Sequence, residues 1–205
     1  MTISFPVSPP AVWLPSRWRV QAHSTVGVSR SPFTAEQQVY AHLGEFWTVE
    51  VSLPAMARAD AEACIAFLLS LSGMEGTVLF GDPVGAAPRG TWAGSPKVSG
   101  AHAARVKSIL MDGFTAGATG KAGDWLQFGT GSSAHLHKVV EDFTADGSGI
   151  ATAEIWPATR AALADDATFV TSGAKGLWRR AANDQGWDIE LAQVFGLQAS
   201  FLEAL

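Results

Sequence analysis

Short apolar runs separated by glycine-containing turns constrain the fold of this chain more than any other feature. In the second half of the chain they cover residues 124–128, 135–143, 149–156 and 168–170. The residues Asp146-Gly147-Ser148-Gly149 between two of these runs are typical of a hairpin turn. Several short strands at this spacing predict a small β-barrel or β-sandwich.

The first half of the chain predicts two strands followed by a helix. Strands are expected over residues 17–26 and 45–53, and the second has an apolar face made of Trp47, Val49, Val51 and Leu53. From about residue 56 the apolar spacing becomes helical, and one side of this helix carries Ala57, Ala61, Ile65, Leu68 and Leu71. Because the two apolar stripes are adjacent in sequence, we expect them to pack against each other.

The helix and the strand after it have recognisable ends. Asp60 and Glu62 lie near the start of the helix, where negative charge suits the helix dipole, and Gly73 marks its end. A short strand over residues 77–80 then stops at Gly81-Asp82-Pro83. Residues 83–100 are rich in Gly, Pro, Ala and Ser, which predicts an irregular connection and a domain boundary.

The last segment alternates Trp187, Ile189 and Leu191 and continues with Phe195, Leu197 and Phe201. Because the first domain has few strands and its sheet edges need cover, we expect this segment to return to it. The sequence therefore predicts a mainly β protein. Residues 1–88 and 176–205 form a β-sandwich or barrel with one packed helix, and residues 89–175 form a second, small β-barrel domain inserted between them.

Charge and hydropathy narrow the classes of partner. The net charge is −5 and the 14 Lys and Arg are scattered, so no basic stripe is present that neutralises successive phosphates. The most apolar run, residues 63–71, is about half of the roughly 20 residues that a membrane-spanning helix needs. The first residues lack the basic start and continuous apolar stretch of a secretion signal. We expect no direct nucleic-acid binding and no membrane partner.

Candidate metal ligands are sparse. His135 and His137 are two residues apart, so on a strand their rings point to the same side. No further Cys, His or acidic residue stands at a diagnostic spacing, and a structural role is favoured over a metal site. The Asp165-Asp166 pair is typical of a solvated turn.

Nucleotide loops and activated nucleophiles are not evident either. Gly129-Thr130-Gly131 lacks the Lys-Ser/Thr pair of a phosphate loop and predicts a hairpin turn. Ser99 and Ser148 lie outside any strand-turn-helix context, and Cys64, the single cysteine, is expected to be a buried thiol without a disulfide. The sequence therefore predicts no catalytic, cofactor-binding or metal residue, no cofactor and no enzyme activity.

Aromatic residues are numerous, with 8 Trp and 11 Phe in a chain of 16% charged residues. Trp47 and Trp187 lie in alternating patterns and are expected in the core. Trp13, Trp92 and Trp178 lie near turns, where an exposed ring favours contact with a neighbouring subunit over a sugar platform.

The order of several segments resembles distal tail proteins of siphophages and of related gene-transfer particles. The resemblance spans most of the chain and is carried by residues 29–34 (SRSPFT), 45–54 (EFWTVEVSLP), 66–73 (AFLLSLSG), 79–83 (LFGDP), 89–94 (RGTWAG), 122–129 (AGDWLQFG) and 155–157 (IWP). It implies a tail-tube-like ring domain with a helix packed on its sheet and a peripheral β-domain outside it. It also implies a hexameric ring in the virion, at the distal end of the tail, assembled in the host cytoplasm.

The partners that the resemblance implies are further copies of the chain, the tail tube protein and the tail hub protein. DNA would pass through the channel without specific binding. The net negative charge of the chain is compatible with such a channel. Two alternatives stay open. One is a carbohydrate-binding module formed by residues 91–175, and the other is a hydrolytic tail-tip enzyme, for which Glu141, Asp142 and Glu154 are the acidic candidates.

Overall fold

The computed structural model describes residues 3–42, 44–189 and 194–205. The fold is mainly β, as predicted, with the α-helix α1 at Arg58–Ser70. The strands before residue 90 are β1 Arg17–His23, β2 Val26–Arg30, β3 Gln37–Ala41, β4 Phe46–Ser52, β5 Met56–Ala57 and β6 Thr77–Phe80. The following strands are β7 Gly94–Val98, β8 Ser108–Phe114, β9 Thr119–Gly120, β10 Trp125–Phe128, β11 His135–Val139, β12 Phe143–Thr144, β13 Ala151–Trp156 and β14 Phe169–Val170. The last strands are β15 Gly176–Arg180, β16 Trp187–Ile189 and β17 Val194–Glu203.

The first sheet has the strand order β1-β4-β17-β15-β6, and β5 and β16 also pair with β17. The strand β17 therefore lies at the centre of this sheet although it follows all the others in sequence. It pairs antiparallel with β4, with Phe201 opposite Val49, and with β15, with Phe201 opposite Arg180. The prediction that the C-terminal segment joins the sheet of the first strands is confirmed.

The prediction of a buried alternation over residues 187–191 is wrong for the residues that the structure describes. The Trp187 side chain is 38% exposed and Ile189 is 64% exposed, while Leu191 lies outside the described residues. The strand β16 gains backbone hydrogen bonds from β17, but all three of its residues stay exposed. Pairing at the margin of a sheet supplies hydrogen bonds without supplying a second layer.

The helix packs as its spacing predicts. Ala61, Ile65, Leu68 and Leu71 are buried in the same apolar cluster as Trp47, Val49, Val51 and Leu53 of β4 and the chain after it. Ala57 is the exception, because it belongs to β5 and caps the helix with extended backbone, so it is exposed. The helix ends at Ser70, and Gly73 follows with φ +66°, a conformation that favours glycine.

The second sheet has six strands in the order β14-β10-β11-β13-β8-β7 and is nearly closed into a barrel. Hydrogen bonds join the end strand β7 to the residues just before the other end strand, β14. The Val98 N–H donates to the Ala167 carbonyl at 3.0 Å, and the Asp166 N–H donates to the Val98 carbonyl at 2.9 Å. A second apolar cluster, which includes Val98, Ile109 and Leu126, fills the interior.

Two sequence predictions about strand boundaries are wrong in detail. The strand expected over residues 17–26 ends at His23, and β2 begins at Val26. The connection expected over residues 83–100 contains β7, whose register shifts between Gly94 and Lys97. A bulged edge strand tolerates the glycine and proline that made this segment look irregular.

The expected hairpin at Asp146 is a turn without a hairpin. The Asp146 carboxylate accepts hydrogen bonds from the Ser148 and Ile150 N–H groups, at 2.8 and 2.9 Å. The strands on either side do not pair with each other, because β12 pairs with β9 and β13 pairs with β8 and β11. The run expected over residues 135–143 is likewise divided between β11 and β12.

The two sheets share a core. The Trp47 ring of β4 lies 5.3 Å from Trp125 and 4.3 Å from Trp156, and its indole N–H donates to the Leu136 carbonyl at 2.9 Å. The strands of the first sheet come from residues 17–80 and 176–203, and those of the barrel come from residues 94–170. The division into domains at residues 88 and 176 stays a prediction.

Candidate functional site

A ribbon of two strands, formed by β2 and β3, is exposed along its whole length. These strands pair only with each other among the described residues, from Val26 opposite Ala41 to Arg30 opposite Gln37, and every residue in both is exposed. Val28 and Val39 lie directly opposite one another and are 59% and 62% exposed. An isolated two-stranded ribbon is at best marginally stable in water, so this one is suited to contact with a partner.

The tip of the ribbon is ordered by its own hydrogen bonds. The Ser31 hydroxyl accepts from the Phe33 and Thr34 N–H groups, at 3.3 and 3.2 Å. Ala35 has φ +60° and donates its N–H to the Ser31 carbonyl at 3.0 Å. This turn places the Phe33 side chain in solvent, where it is 94% exposed.

The base of the ribbon is tied to the first sheet. The Thr25 hydroxyl donates to the Gly44 carbonyl at 2.8 Å, and the His42 N–H donates to the Thr25 carbonyl at 2.9 Å. Closer to the first sheet, His23 of β1 lies opposite Phe46 of β4, and their rings stack with centroids 4.8 Å apart. The ribbon thus leaves the sheet as an extension of β1 and β4.

A second candidate is a buried polar cluster between the two sheets. Glu203 of β17 is 3% exposed, and its two carboxylate oxygens accept from Arg160 Nε at 3.2 Å and Nη2 at 2.6 Å. The Trp47 N–H also donates to Glu203, at 3.2 Å. Burial alone would raise the pKa of Glu203, but the nearby His135 ring, the Arg160 guanidinium and the Trp47 N–H outweigh it and hold the pKa below its usual value.

Glu45 repeats this arrangement at the other side of the cluster. Its carboxylate accepts from Lys107 Nζ at 2.5 Å and from the Ala158 N–H at 3.1 Å. Burial alone would raise its pKa, but the Lys107 ammonium and the Ala158 N–H lower it overall. Glu45 lies just before β4, and Glu203 lies on β17 of the first sheet. Both carboxylates accept hydrogen bonds from residues between 94 and 170, the part of the chain that forms the barrel. The cluster therefore fastens the two sheets together.

The two histidines singled out in the sequence lie beside this cluster on β11. His137 is fully buried, and its Nδ1 lies 2.8 Å from the Pro157 carbonyl oxygen. A carbonyl can only accept, so Nδ1 carries the proton and Nε2 is left as an acceptor. Burial lowers the pKa of His137 to about 4. His135 Nδ1 lies 3.8 Å from Glu203 Oε1, too far for a hydrogen bond.

Metal ligation is not visible in the described part of the chain. No group of three or more His, Cys, Asp or Glu side chains lies close enough there to hold a metal ion. Asp165 and Asp166 lie in an exposed turn as predicted, where Asp165 accepts from the Gly100 N–H at 2.8 Å and Asp166 pairs with Lys97 at 3.3 Å.

The remaining residues singled out in the sequence lie in a turn, in α1 and on the barrel. Gly129-Thr130-Gly131 connects the paired strands β10 and β11, as predicted, and leads into a 3-10 turn at Gly131–Ser133. Cys64 is fully buried in α1, and burial raises the pKa of its thiol. Among the acidic candidates, Glu141 and Asp142 are exposed, and Asp142 pairs with Lys121 at 2.8 Å. Glu154 is half-buried on β13.

Trp47 is 6% exposed and lies in the core as predicted, but the other tryptophans singled out in the sequence reverse the expectation. Trp13, Trp92 and Trp178, expected at exposed turns, are 8%, 7% and 1% exposed. Each is covered by a partner distant in sequence: Trp13 packs on Phe67 at 5.3 Å, Trp92 Nε1 donates to Asp124 at 2.8 Å, and Trp178 stacks on Phe80 at 5.2 Å. Trp187, expected in the core, is the exposed one. These three rings offer no sugar platform, whereas the ribbon, which the sequence reading missed, offers an apolar surface.

Comparison of the chain with protein-family models and with curated proteins found no match. Among the described residues, no helix is long and apolar enough to cross a membrane.

Proposed function

We propose that this protein is a structural subunit that self-associates into a ring at the distal end of the tail of a phage or gene-transfer particle. In this role it joins the tail tube protein to the tail hub protein and leaves a channel for DNA. The ribbon formed by β2 and β3 is the observation that carries the proposal. Its apolar side chains at Val26, Val28, Phe33, Val39 and Tyr40 are all at least half exposed.

Burial of these side chains needs a second surface. In a ring, the surface that covers the ribbon on a neighbouring copy is a different part of the molecule, because contact of ribbon with ribbon would close a dimer. A contact between two different surfaces of identical chains is heterologous, and it closes into a ring when the rotation between copies is a simple fraction of a turn. The resemblance to distal tail proteins implies six copies.

The segments that carry the resemblance support a structural role because they bind one another. Asp82 accepts from the Trp125 indole N–H at 3.0 Å, which joins residues 79–83 to residues 122–129. Asp124 is 2% exposed and accepts from the Arg89 and Gly90 N–H groups at 2.6 and 3.0 Å, and from Trp92 Nε1 at 2.8 Å. This second set joins residues 89–94 to residues 122–129. Their polar groups are occupied by scaffold contacts.

Charge is compatible with the same role. The net charge of −5 disfavours tight binding of phosphates, so DNA can slide past a ring of such chains. We propose that the protein works without catalysis and without a cofactor, in the virion, after assembly in the host cytoplasm.

Electron microscopy of the purified protein tests the proposal. The unmodified chain should form rings with a central channel, and the double variant Val28→Asp, Val39→Asp should remain monomeric because charge in the ribbon opposes its burial. The matched control is Val140→Asp, an exposed valine of the barrel that is 54% exposed. Rings formed by the ribbon variant, or a monomeric unmodified chain at high concentration, would contradict the proposal.

A further inference from the structure

A cavity of about 420 Å³ lies beside the buried polar cluster. One wall is the connection between β10 and β11, and the other is the segment 159–170 that closes the barrel. Its volume falls within the range of cavities that hold small ligands. The proposed ring function uses neither wall.

The floor of this cavity includes a buried acceptor without a partner. His137 lines the cavity, is fully buried, and has no hydrogen-bond partner at Nε2 among the described residues. Because its Nδ1–H is given to the Pro157 carbonyl, Nε2 presents a lone pair and no proton. Buried acceptors in folded proteins are nearly always satisfied, so a donor is expected at this position.

The charges around the cavity are balanced. Arg160 lines it, but both carboxylate oxygens of Glu203 bind its guanidinium. The two histidines are the other titratable groups in the lining, and His137 is uncharged at neutral pH. A ligand that carries a full charge would lose its hydration here without gaining an unpaired counter-charge.

The remaining lining combines aromatic rings with hydroxyl groups. Phe128 and Phe169 lie 5.9 Å apart, edge to face. The hydroxyls of Thr130, Ser133 and Thr159 also line the cavity, and alanines form much of segment 161–167. Aromatic rings cover the C–H faces of a ligand, and the hydroxyls exchange hydrogen bonds with its polar edge.

We propose that this cavity binds a neutral sugar unit, with one sugar hydroxyl donating a hydrogen bond to His137 Nε2. A hydroxyl supplies the missing donor, and an uncharged ring with both C–H and O–H edges matches the lining. The site does not depend on ring assembly, so monomeric and assembled protein should both bind.

Nuclear magnetic resonance titration of the full chain tests the proposal. The probes are glucose, galactose, mannose and N-acetylglucosamine, with glucuronate and glucosamine as charged counterparts. At least one neutral sugar should bind saturably, and its charged counterpart should bind about tenfold more weakly or not at all. Binding should shift the ¹⁵N resonance of His137 Nε2, which reports directly on a new hydrogen bond. No saturable binding, or an unmoved Nε2 resonance, overturns the proposal.

The source of the sugar is tested with the same assay. The sugar that binds is compared with an oligosaccharide that carries it at the non-reducing end. Equal affinity indicates the end of a polysaccharide, and loss of affinity for the oligosaccharide indicates a free sugar. Both results keep the cavity as the site.

Variants locate the site, beginning with an exposed residue of its lining. Ala162 lines the cavity and is exposed, so Ala162→Phe should fill it and abolish binding. Ala116→Phe is the matched control, since Ala116 is exposed in the turn after β8 and does not line the cavity. His137→Phe should weaken binding about tenfold or more. Unchanged binding by Ala162→Phe overturns the proposal even if His137→Phe fails to fold.

Discussion

Arg160 holds Glu203 with two hydrogen bonds, one to each carboxylate oxygen, at 3.2 and 2.6 Å. The pair joins the segment after β13 of the barrel to the end of β17 in the first sheet. Both side chains are mostly buried, with 14% of Arg160 and 1% of Glu203 exposed. Removal of either partner leaves the other without compensation in the interface between the sheets.

Glu203→Gln should therefore lower the free energy of unfolding by about 3 to 5 kcal/mol, because the buried guanidinium loses its counter-charge. Urea denaturation at neutral pH measures the change. The control is Glu50→Gln, which breaks the exposed pair with Arg19, half exposed on both sides, and should cost about 1 kcal/mol or less. Equal effects of the two variants would contradict the role given to Glu203.

His137 should make stability depend on pH below 6.5. Its pKa falls from 6.5 to about 4 on folding, so the unfolded chain binds a proton that the folded chain does not. Its contribution is complete above pH 6.5 and is lost as the pH falls towards 4, by about 3 kcal/mol in all. His137→Phe should flatten this slope in urea denaturation.

Glu203 adds a fall in stability at lower pH, below its ordinary value of 4.5, because its folded-state pKa is depressed. That part should persist in His137→Phe and disappear in Glu203→Gln. A slope between pH 6.5 and 4.5 that is the same with and without His137 would sink the assignment.

Two neighbouring leucines on α1 test the docking of the helix. Leu68 is 1% exposed and Leu69 is 54% exposed. Leu68→Ala should lower the free energy of unfolding by about 2 to 5 kcal/mol, because it leaves a cavity against the first sheet. Leu69→Ala should change it by about 0.5 kcal/mol or less. Similar unfolding midpoints for the two variants would show that the helix is not docked there.

Truncation before Trp187 should prevent the first sheet from folding and abolish ring formation, because it removes β17 from between β4 and β15. Circular dichroism and electron microscopy measure the two losses. The segment 91–175 expressed alone is expected to keep its barrel, whose apolar interior includes Ile109 and Ile155. The idea fails if the truncated chain still assembles normally.

The acidic candidates on the barrel should carry no hydrolysis. Glu141 is exposed, and Glu154 lies half-buried on β13. We expect the purified chain to show no turnover of peptidoglycan or polysaccharide, measured as the release of reducing ends. Reproducible turnover that Glu141→Gln or Glu154→Gln abolishes would overturn the proposed non-catalytic role.

Elements with a strong local period could be predicted from the sequence. The alternation in β4 and the helical spacing in α1 report burial directly, because each apolar side chain faces the same core. The return of the C-terminal segment to the first sheet followed from the shortage of strands in the first part of the chain, but its central place between β4 and β15 was not predicted. The β2–β3 ribbon was missed, although Val26 and Val28 alternate with Gly27 and Ser29, because the alternation is short and no NG-type turn marks the hairpin.

Features that depend on distant partners could not be predicted. Trp92 looks like an exposed turn residue until Asp124, 32 residues further on, covers its indole N–H. His137 meets the Pro157 carbonyl across 20 residues, and nothing in the local sequence specifies which ring nitrogen is occupied. Strand geometry placed the rings of His135 and His137 on the same side, and a structural role was favoured over a metal site, but the local sequence held no information about these neighbours.

The central position of β17 also sets the order of events during synthesis. The N-terminal strands leave the ribosome first, but β4 and β15 cannot be bridged until residues through Glu203 have emerged. Until then β4 lacks one of its two sheet neighbours, and the platform that carries the ribbon is incomplete. In the proposed ring, a chain should therefore contribute its ribbon only after residues through Glu203 have folded between β4 and β15.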